Sequence, residues 1–322
     1  MRDAISNIRA LTAIGQDHNQ TSSWVGMKHA LLAVIMFSLT VPFTEMALVN
    51  FSPESIAFVR AGLAGIGSLF IVLMMDFRGR WRLPNRNELK LLLPAGFVVC
   101  LVFPYTLSVG LQSRSSTDMG VLLAGIPLIT AIAASVFFSE RHGRGFWLSV
   151  LLGTTLLVLF NLWSGTDLSG WFEALIIVLS AAVGYSIGGR VAKTLGGWQT
   201  ICWMCILYLP ISLLGAGYYV GLDAQLLQAQ QLESGLNGIA AWNEEAVYAL
   251  LYLALVSQWL GFHFWYGAMA EAGIAKVGQV QLTQPFFTLL FSVWLLGDEL
   301  FTYQIVFAVL ICMSVLSAIK QK

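Results

Sequence analysis

Ten predominantly apolar runs, each close to the thickness of a bilayer, constrain this chain more than any other feature. They lie at about 28–49, 54–76, 88–110, 115–138, 145–164, 170–190, 199–220, 246–269, 274–297 and 302–319. A helical crossing of the hydrocarbon needs about 20 such residues. Lipid offers no partner to a free amide or carbonyl, so a crossing segment either bonds to itself as a helix or joins a closed barrel. A barrel would show short segments of alternating polarity, and these runs do not alternate. The expectation is an all-α polytopic membrane protein with ten transmembrane helices. Composition agrees: 57% of residues are hydrophobic and 11% are charged, against about 25% charged in soluble domains. With 17 basic and 17 acidic residues, the chain lacks the basic excess that a nucleic-acid partner demands. It is also too apolar for intrinsic disorder.

Charge placement predicts orientation. With the N-terminus in the cytoplasm, that side holds Arg2, Arg9, Lys28, Arg78, Arg80, Arg82, Arg86, Lys90, Arg141, Arg144, Arg190, Lys193, Lys276, Lys320 and Lys322. Arg114 alone falls outside, and Arg60 falls within a span. An even number of spans with both termini inside thus satisfies the positive-inside rule. Residues 1–27 read as a cytoplasmic tail without the short apolar core of a cleaved signal. The segment at about 221–245 contains no Lys or Arg and reads as an external loop. Cys202 and Cys205 form a CxxC, but among apolar neighbours they read as small bundle- or lipid-facing residues.

A repeat is written into the chain. Shifting it by 158 residues places Gly120 on Gly278, Pro127 on Pro285, Thr130 on Thr288 and Glu140 on Asp298. The same shift puts Tyr105 of span three on His263 of span eight. The halves are 28–164 and 165–320, five spans each. Five is odd, so they insert in opposite directions, as two inverted five-helix repeats. Secondary transporters use such repeats to alternate access around a central site. Pro127 and Pro285 lie near the centres of their spans. Each removes a donor and crowds the carbonyl four residues earlier, and matched interruptions of this kind point to a transport site.

Several polar groups lie within the spans. Glu45 of span one and Arg60 of span two fall at similar depth, which allows either a structural ion pair or a breakable pair with Glu45 as a proton-coupling or gating carboxylate. Gln281 and Gln284 share one helical face just before Pro285, while their first-half counterparts, Leu123 and Ile126, are apolar. They serve either substrate recognition or interhelical hydrogen bonding. His263 lies among Phe262, Phe264, Trp265 and Tyr266. It is either a proton carrier or a neutral core histidine, and the aromatic cluster either lines a cavity or packs. Gly184-x3-Gly188 reads as a close-packing helix face.

These residues resemble a known family. Ile126-Pro127-Leu128 leading to Ser139-Glu140-Arg141, Gln284-Pro285-Phe286 leading to Gly297-Asp298-Glu299-Leu300, and Ser52-Pro53 followed by Arg60 are similar to the EamA-type transporters of the drug/metabolite transporter superfamily. The resemblance covers about 28–319. It implies a bacterial inner-membrane permease, typically an exporter of amino acids or other small metabolites, with a cavity between the halves. The Trp-Gly that often marks the first span of that family is replaced by Phe37-Ser38-Leu39.

The expected function is secondary active transport of small polar or zwitterionic metabolites by alternating access. Substrate would bind near Gln281, Gln284, Pro285 and Pro127, flanked by Tyr105, His263 and Tyr266. Protons would couple through Glu45 and Arg60, and a net-neutral cavity would favour a neutral or zwitterionic solute. No phosphate loop, HExxH or GxSxG motif occurs, so neither ATP drive, a metal nor another cofactor is expected. Two alternatives are a non-transporting sensor or assembly subunit, and an intramembrane enzyme with His263 and Glu45 as acid and base. The predicted depths of those two residues, on opposite sides of the midplane, oppose the second.

Overall fold

A computed structural model of the chain describes residues 24–76, 81–130, 132, 143–165, 168–233 and 242–320. Most of the N-terminal tail, Ser139-Glu140-Arg141 and residues 234–241 therefore lie outside the described residues; residues 221–233 of the expected external loop instead continue the preceding helix. The described residues contain helices and no strand. In chain order we label them α1 (Trp24–Ala47), α2 (Pro53–Asp76), α3 (Arg86–Leu111), α4 (Ser116–Thr130), α5 (Arg144–Trp163), α6 (Leu168–Glu233), α7 (Glu244–Ala272), α8 (Ile274–Gln281), α9 (Gln284–Leu296) and α10 (Thr302–Lys320). Six of these segments are long and apolar enough to cross a membrane: α1, α2, α3, α5, α6 and α7.

Local chemistry sets the helix starts. Pro53 occupies the first position of α2, where its missing N–H costs nothing, and the Ser52 hydroxyl accepts from the Ser55 amide at 3.3 Å. A capping box opens α3: Asn85 Oδ1 accepts from the Glu88 amide at 2.9 Å, and Glu88 Oε2 accepts from the Asn85 amide at 2.9 Å. Glu88 is gripped further by both arms of Arg82, at 2.8 and 2.6 Å, and by the Thr194 hydroxyl of α6 at 2.7 Å. The 66 residues of α6 are two arms, 168–195 and 197–233, separated at Gly196 with φ +80° and ψ 162°. A side chain there would be strained. The adjacent Gly197 lets this bend press onto the backbone of His263 and Gly267 in α7, where a Cβ would come within 2.5 Å of His263 O and 2.4 Å of Gly267 N.

The breaks inside the helices repeat. In α4 the amides of Ala124 and Gly125 bond back three residues, to Val121 and Leu122, before the helix resumes ahead of Pro127. Between α8 and α9, Leu282 and Thr283 bond back three residues, to Gln279 and Val280, ahead of Pro285. Each bond in one copy lies 158 residues from its counterpart in the other. A second pair of irregularities obeys the same shift. Wide π-helical turns occupy Val98–Val102 in α3 and Tyr252–Gly261 in α7. In α3 the bulge directly precedes Pro104, whose ring would collide with a carbonyl in a regular helix. Gln258 Nε2 approaches Cys100 Sγ at 3.6 Å, and these residues are themselves 158 apart.

Charges sort to the two ends of the bundle. One end, the basic end, holds the Arg82–Glu88–Thr194 knot and the His29–Glu271 pair at 3.4 Å. At the other, Asp223 Oδ2 accepts from the Ser52 amide at 3.0 Å, Asn243 N bonds Asn50 Oδ1 at 2.7 Å, and Asp118 Oδ1 accepts from Gln304 Nε2 at 2.7 Å. This is the acidic end. Large apolar side chains such as Phe70, Leu148, Leu214 and Trp294 cover the flanks of the bundle, as a lipid-facing surface requires.

Candidate functional site: a cavity around a buried arginine

Both irregular pairs border one narrow cavity. Its wall comes from Phe37 and Thr40 of α1, Arg60 of α2, Phe103 and Leu107 of α3, Leu123 of α4, Tyr185 of α6, Ser257 and Phe262 of α7, and Gln284 of α9. Seven helices thus meet at one point. Leu123 and Gln284 flank the two proline-bearing breaks, whereas Phe103, Ser257 and Phe262 are set by the two π turns.

Arg60 dominates the chemistry of this space. It is 1% exposed, and its Nη2 donates to Ser257 Oγ at 3.0 Å. Ser257 Oγ in turn shares a hydrogen bond of 2.7 Å with Thr40 Oγ1. The Arg60 Nε has no partner among the described residues. The groups facing Arg60 are Cys100, Cys205, Tyr185 and Tyr252, none of them a carboxylate. No carboxylate lies within ion-pairing distance of it among the described residues. Gln284 is 5% exposed, and its Oε1 is likewise buried without a partner. The Gln284 main-chain carbonyl faces the Ser38 hydroxyl at 3.2 Å.

The geometry corrects the expected Glu45–Arg60 pair. Glu45 instead accepts a short hydrogen bond from the Ser116 hydroxyl at the start of α4. Matched depth fixes how far along its helix each residue lies, but not the direction it faces. Arg60 faces inward and Glu45 faces the acidic end of α4. The expected net-neutral cavity is corrected with it, since Arg60 lines the wall and no acidic residue does.

Glu45 belongs to a separate cluster. Asp118 Oδ1 accepts from Gln304 Nε2 and, at 3.3 Å, from the Tyr303 hydroxyl. Gln304 Nε2 also reaches Thr117 Oγ1 at 3.0 Å. Asp298 follows α9 near the Thr117 backbone and Asp118. Burial pushes its carboxyl above the ordinary aspartate value, and Asp118 adds to the rise. One Asp298 oxygen is buried without a partner. Three carboxylates from α1, α4 and the α9–α10 turn therefore gather at the N-terminus of α4, whose backbone dipole favours negative charge.

The remaining expected site residues lie apart from the cavity wall. Gln281 is 3% exposed, and its Nε2 has no partner. Pro127 and Pro285 are buried and shape the breaks. Tyr105 is 40% exposed. The His263 ring lies against Trp198, with centroids 4.2 Å apart. Tyr266 fills the small-residue face of α6: its hydroxyl donates to Gly184 O at 3.1 Å, and a Cβ on Gly188 would sit within 2.5 Å of its ring. Of the residues singled out from sequence, Arg60 and Gln284 share the cavity. Thr40, Ser257 and Tyr185 line it without having been expected. Among the described residues no group of three or more His, Cys, Asp or Glu side chains is arranged to hold a metal.

Comparison with known proteins bears on this arrangement. The EamA-like transporter family model matches residues 24–162 and again 168–319. The uncharacterized transporter YdeK of Bacillus subtilis (strain 168) is 30% identical over 283 residues, covering 87% of this chain and 90% of that one. The uncharacterized transporter YetK of the same organism is 22% identical over 227 residues, covering 68% and 66%. A protein of known crystal structure has the same fold with a TM-score of 0.57 over 93% of this chain and 96% of its own, at 14% identity.

Proposed function

The chain belongs to the EamA-like transporter family, and from that premise we propose that it is a secondary active transporter working by alternating access around the Arg60 cavity. We read the bundle as ten crossings in two inverted halves. The two arms of α6 count separately in this reading, and α8 with α9 forms one broken crossing. The basic end then faces the cytoplasm, as the positive-inside rule requires. The cell membrane of a bacterium is the assigned location, and small polar metabolites are the class of exported solute.

One observation carries this reading. One cavity is bordered by helices from both matched segments of the chain, and a residue beside each matched proline break lines it. A broken helix can rock about its break without disrupting the hydrogen bonds of either arm. Contact of repeat-related residues Cys100 and Gln258 supports an approximate two-fold axis through the centre. We assign proton coupling to the Glu45, Asp118 and Asp298 cluster at the proposed outer end, away from the substrate.

Counterflow in proteoliposomes tests the reading. Labelled amino acids, amines and carboxylates are followed with and without an imposed pH gradient. Saturable exchange that responds to the gradient is expected. Exchange indifferent to the gradient removes the proton assignment and leaves transport standing. Absence of exchange from folded protein across a broad panel contradicts transport itself.

A further inference from the structure

We propose that the cavity binds the carboxylate of an organic anion through Arg60, with an apolar body against the surrounding wall and no ammonium group on the substrate. The inference rests on the transporter reading and narrows its solute class.

Arg60 is the starting point. A guanidinium carries five N–H donors, and one of them is seen spent, on Ser257. The side chain is buried in the middle of the bundle, its Nε is unpartnered, and no acidic residue stands near it among the described residues. Arginine retains its charge in such a site. Buried charges in proteins are paired with a counter-charge, because an unpaired one is strongly disfavoured. Here the described residues supply no counter-charge, and the cavity reaches the guanidinium directly. The counter-charge therefore comes from the ligand.

The rest of the wall defines the body of that ligand. Phe37, Phe103, Leu107, Leu123 and Phe262 are apolar. They suit a hydrocarbon or aromatic body and provide nothing for a strongly hydrated inorganic ion. The neutral polar groups are Thr40, Ser257, Tyr185 and Gln284. An ammonium needs a carboxylate or several oriented acceptors, and the wall has no acid. The unpartnered Gln284 Oε1 suits a single donor such as a hydroxyl. A zwitterion would leave its positive end beside Arg60, where like charges repel.

Three compounds with one phenyl body separate the possibilities: 3-phenylpropionate is an anion, phenylalanine a zwitterion and phenethylamine a cation. Binding to the purified full chain is measured by thermal stabilisation, with acetate, chloride and inorganic phosphate alongside, and each compound is then run in counterflow. We expect 3-phenylpropionate to bind about tenfold or more tighter than phenylalanine and phosphate, and phenethylamine to give no shift. Arg60→Gln should weaken the anion by about thirtyfold or more, as loss of a buried charge partner does. Arg60→Lys should restore part of the affinity.

A second readout concerns the empty protein. Removing a charge that lacks an internal partner should raise the Tm of Arg60→Gln, whereas breaking a structural ion pair would lower it. Preference for phenylalanine or phenethylamine, phosphate or chloride binding as tightly as the carboxylate, full anion affinity in Arg60→Gln, or no response to any carboxylate would each overturn the proposal. The two readings fail separately. Anion binding without flux would sink transport and leave the anion site, while Arg60-independent flux of the zwitterion would do the reverse.

Discussion

At Ala124–Gly125 in α4, and again at Leu282–Thr283 between α8 and α9, the chain makes the same turn in the same register before a buried proline. The surroundings differ. Leu123 and Ile126 at the first break are buried and apolar, whereas their counterparts Gln281 and Gln284 are buried amides with unpartnered atoms. Packing at the paired glycines differs as well. A Cβ on Gly120 would meet Thr288 Cγ2 at 3.0 Å, while among the described residues nothing lies within 4 Å of one on Gly278. Two copies of one backbone device have thus diverged. The α4 copy closes tightly against α9 near the acidic end, and the α8–α9 copy carries the polar groups.

Substitutions at matched positions break this comparison in graded ways. The largest effect is expected from Gly120→Leu, which drives a side chain into the Thr288 contact. Overpacking of this kind costs about 1–3 kcal/mol, and it should appear as a lower Tm together with opening of the acidic end to water-soluble reagents. Gln284→Leu makes the second break resemble the first. Loss of a neutral hydrogen bond to a bound solute costs about 0.5–1.5 kcal/mol, so substrate affinity should fall about two- to tenfold. The empty protein should become no less stable, because a buried unpaired amide oxygen is removed. A smaller gain is expected from Gly278→Ala. The helix of α8 tolerates it, and replacing a helical glycine contributes about 0.5–1 kcal/mol. A Tm decrease there would show that the open space beside Gly278 is filled.

The smallest effect concerns pH. Asp298 has a raised value in this closed arrangement, chiefly from burial. It therefore binds its proton more tightly here than when solvated. The contribution favouring closure of the acidic end is complete below the ordinary aspartate value and fades as pH rises through the raised one. Acidification on that side should favour closure, and Asp298→Asn should flatten the dependence measured by reagent access at the acidic end.

Much of this was legible in the sequence. Apolar runs announced helices because lipid leaves the backbone no other solution. The 158-residue shift placed both breaks correctly, because proline acts locally on its own turn. Facing was less accessible. Each π turn inserts an extra residue and rotates the downstream side chains by roughly 100°. After the bulge in α3, Phe103 and Leu107 meet the cavity while Tyr105 turns outward. After the one in α7, Phe262 lines the cavity and His263 stacks on Trp198. Ser257 gave no signal of its own, because a serine within an apolar helix becomes significant only once Arg60 is seen to reach it. The Glu45–Arg60 pairing failed for the same reason of azimuth.

Reciprocal access at the two ends tests the central claim most directly. The native cysteines are all buried, so single cysteines at Gly278 and Thr117 can be probed with a membrane-impermeant maleimide. Thr117→Cys sits in the closed acidic end, where Thr117 is 1% exposed, and Gly278→Cys sits one turn before the second break, where Gly278 is half-buried. Without solute, the account predicts rapid labelling of Gly278→Cys from the basic side and slow labelling of Thr117→Cys from the acidic side. Under turnover the first should slow and the second should speed up. Labelling that rises or falls at both positions together, or that solute leaves unchanged in a transporting protein, would contradict alternating access around this cavity.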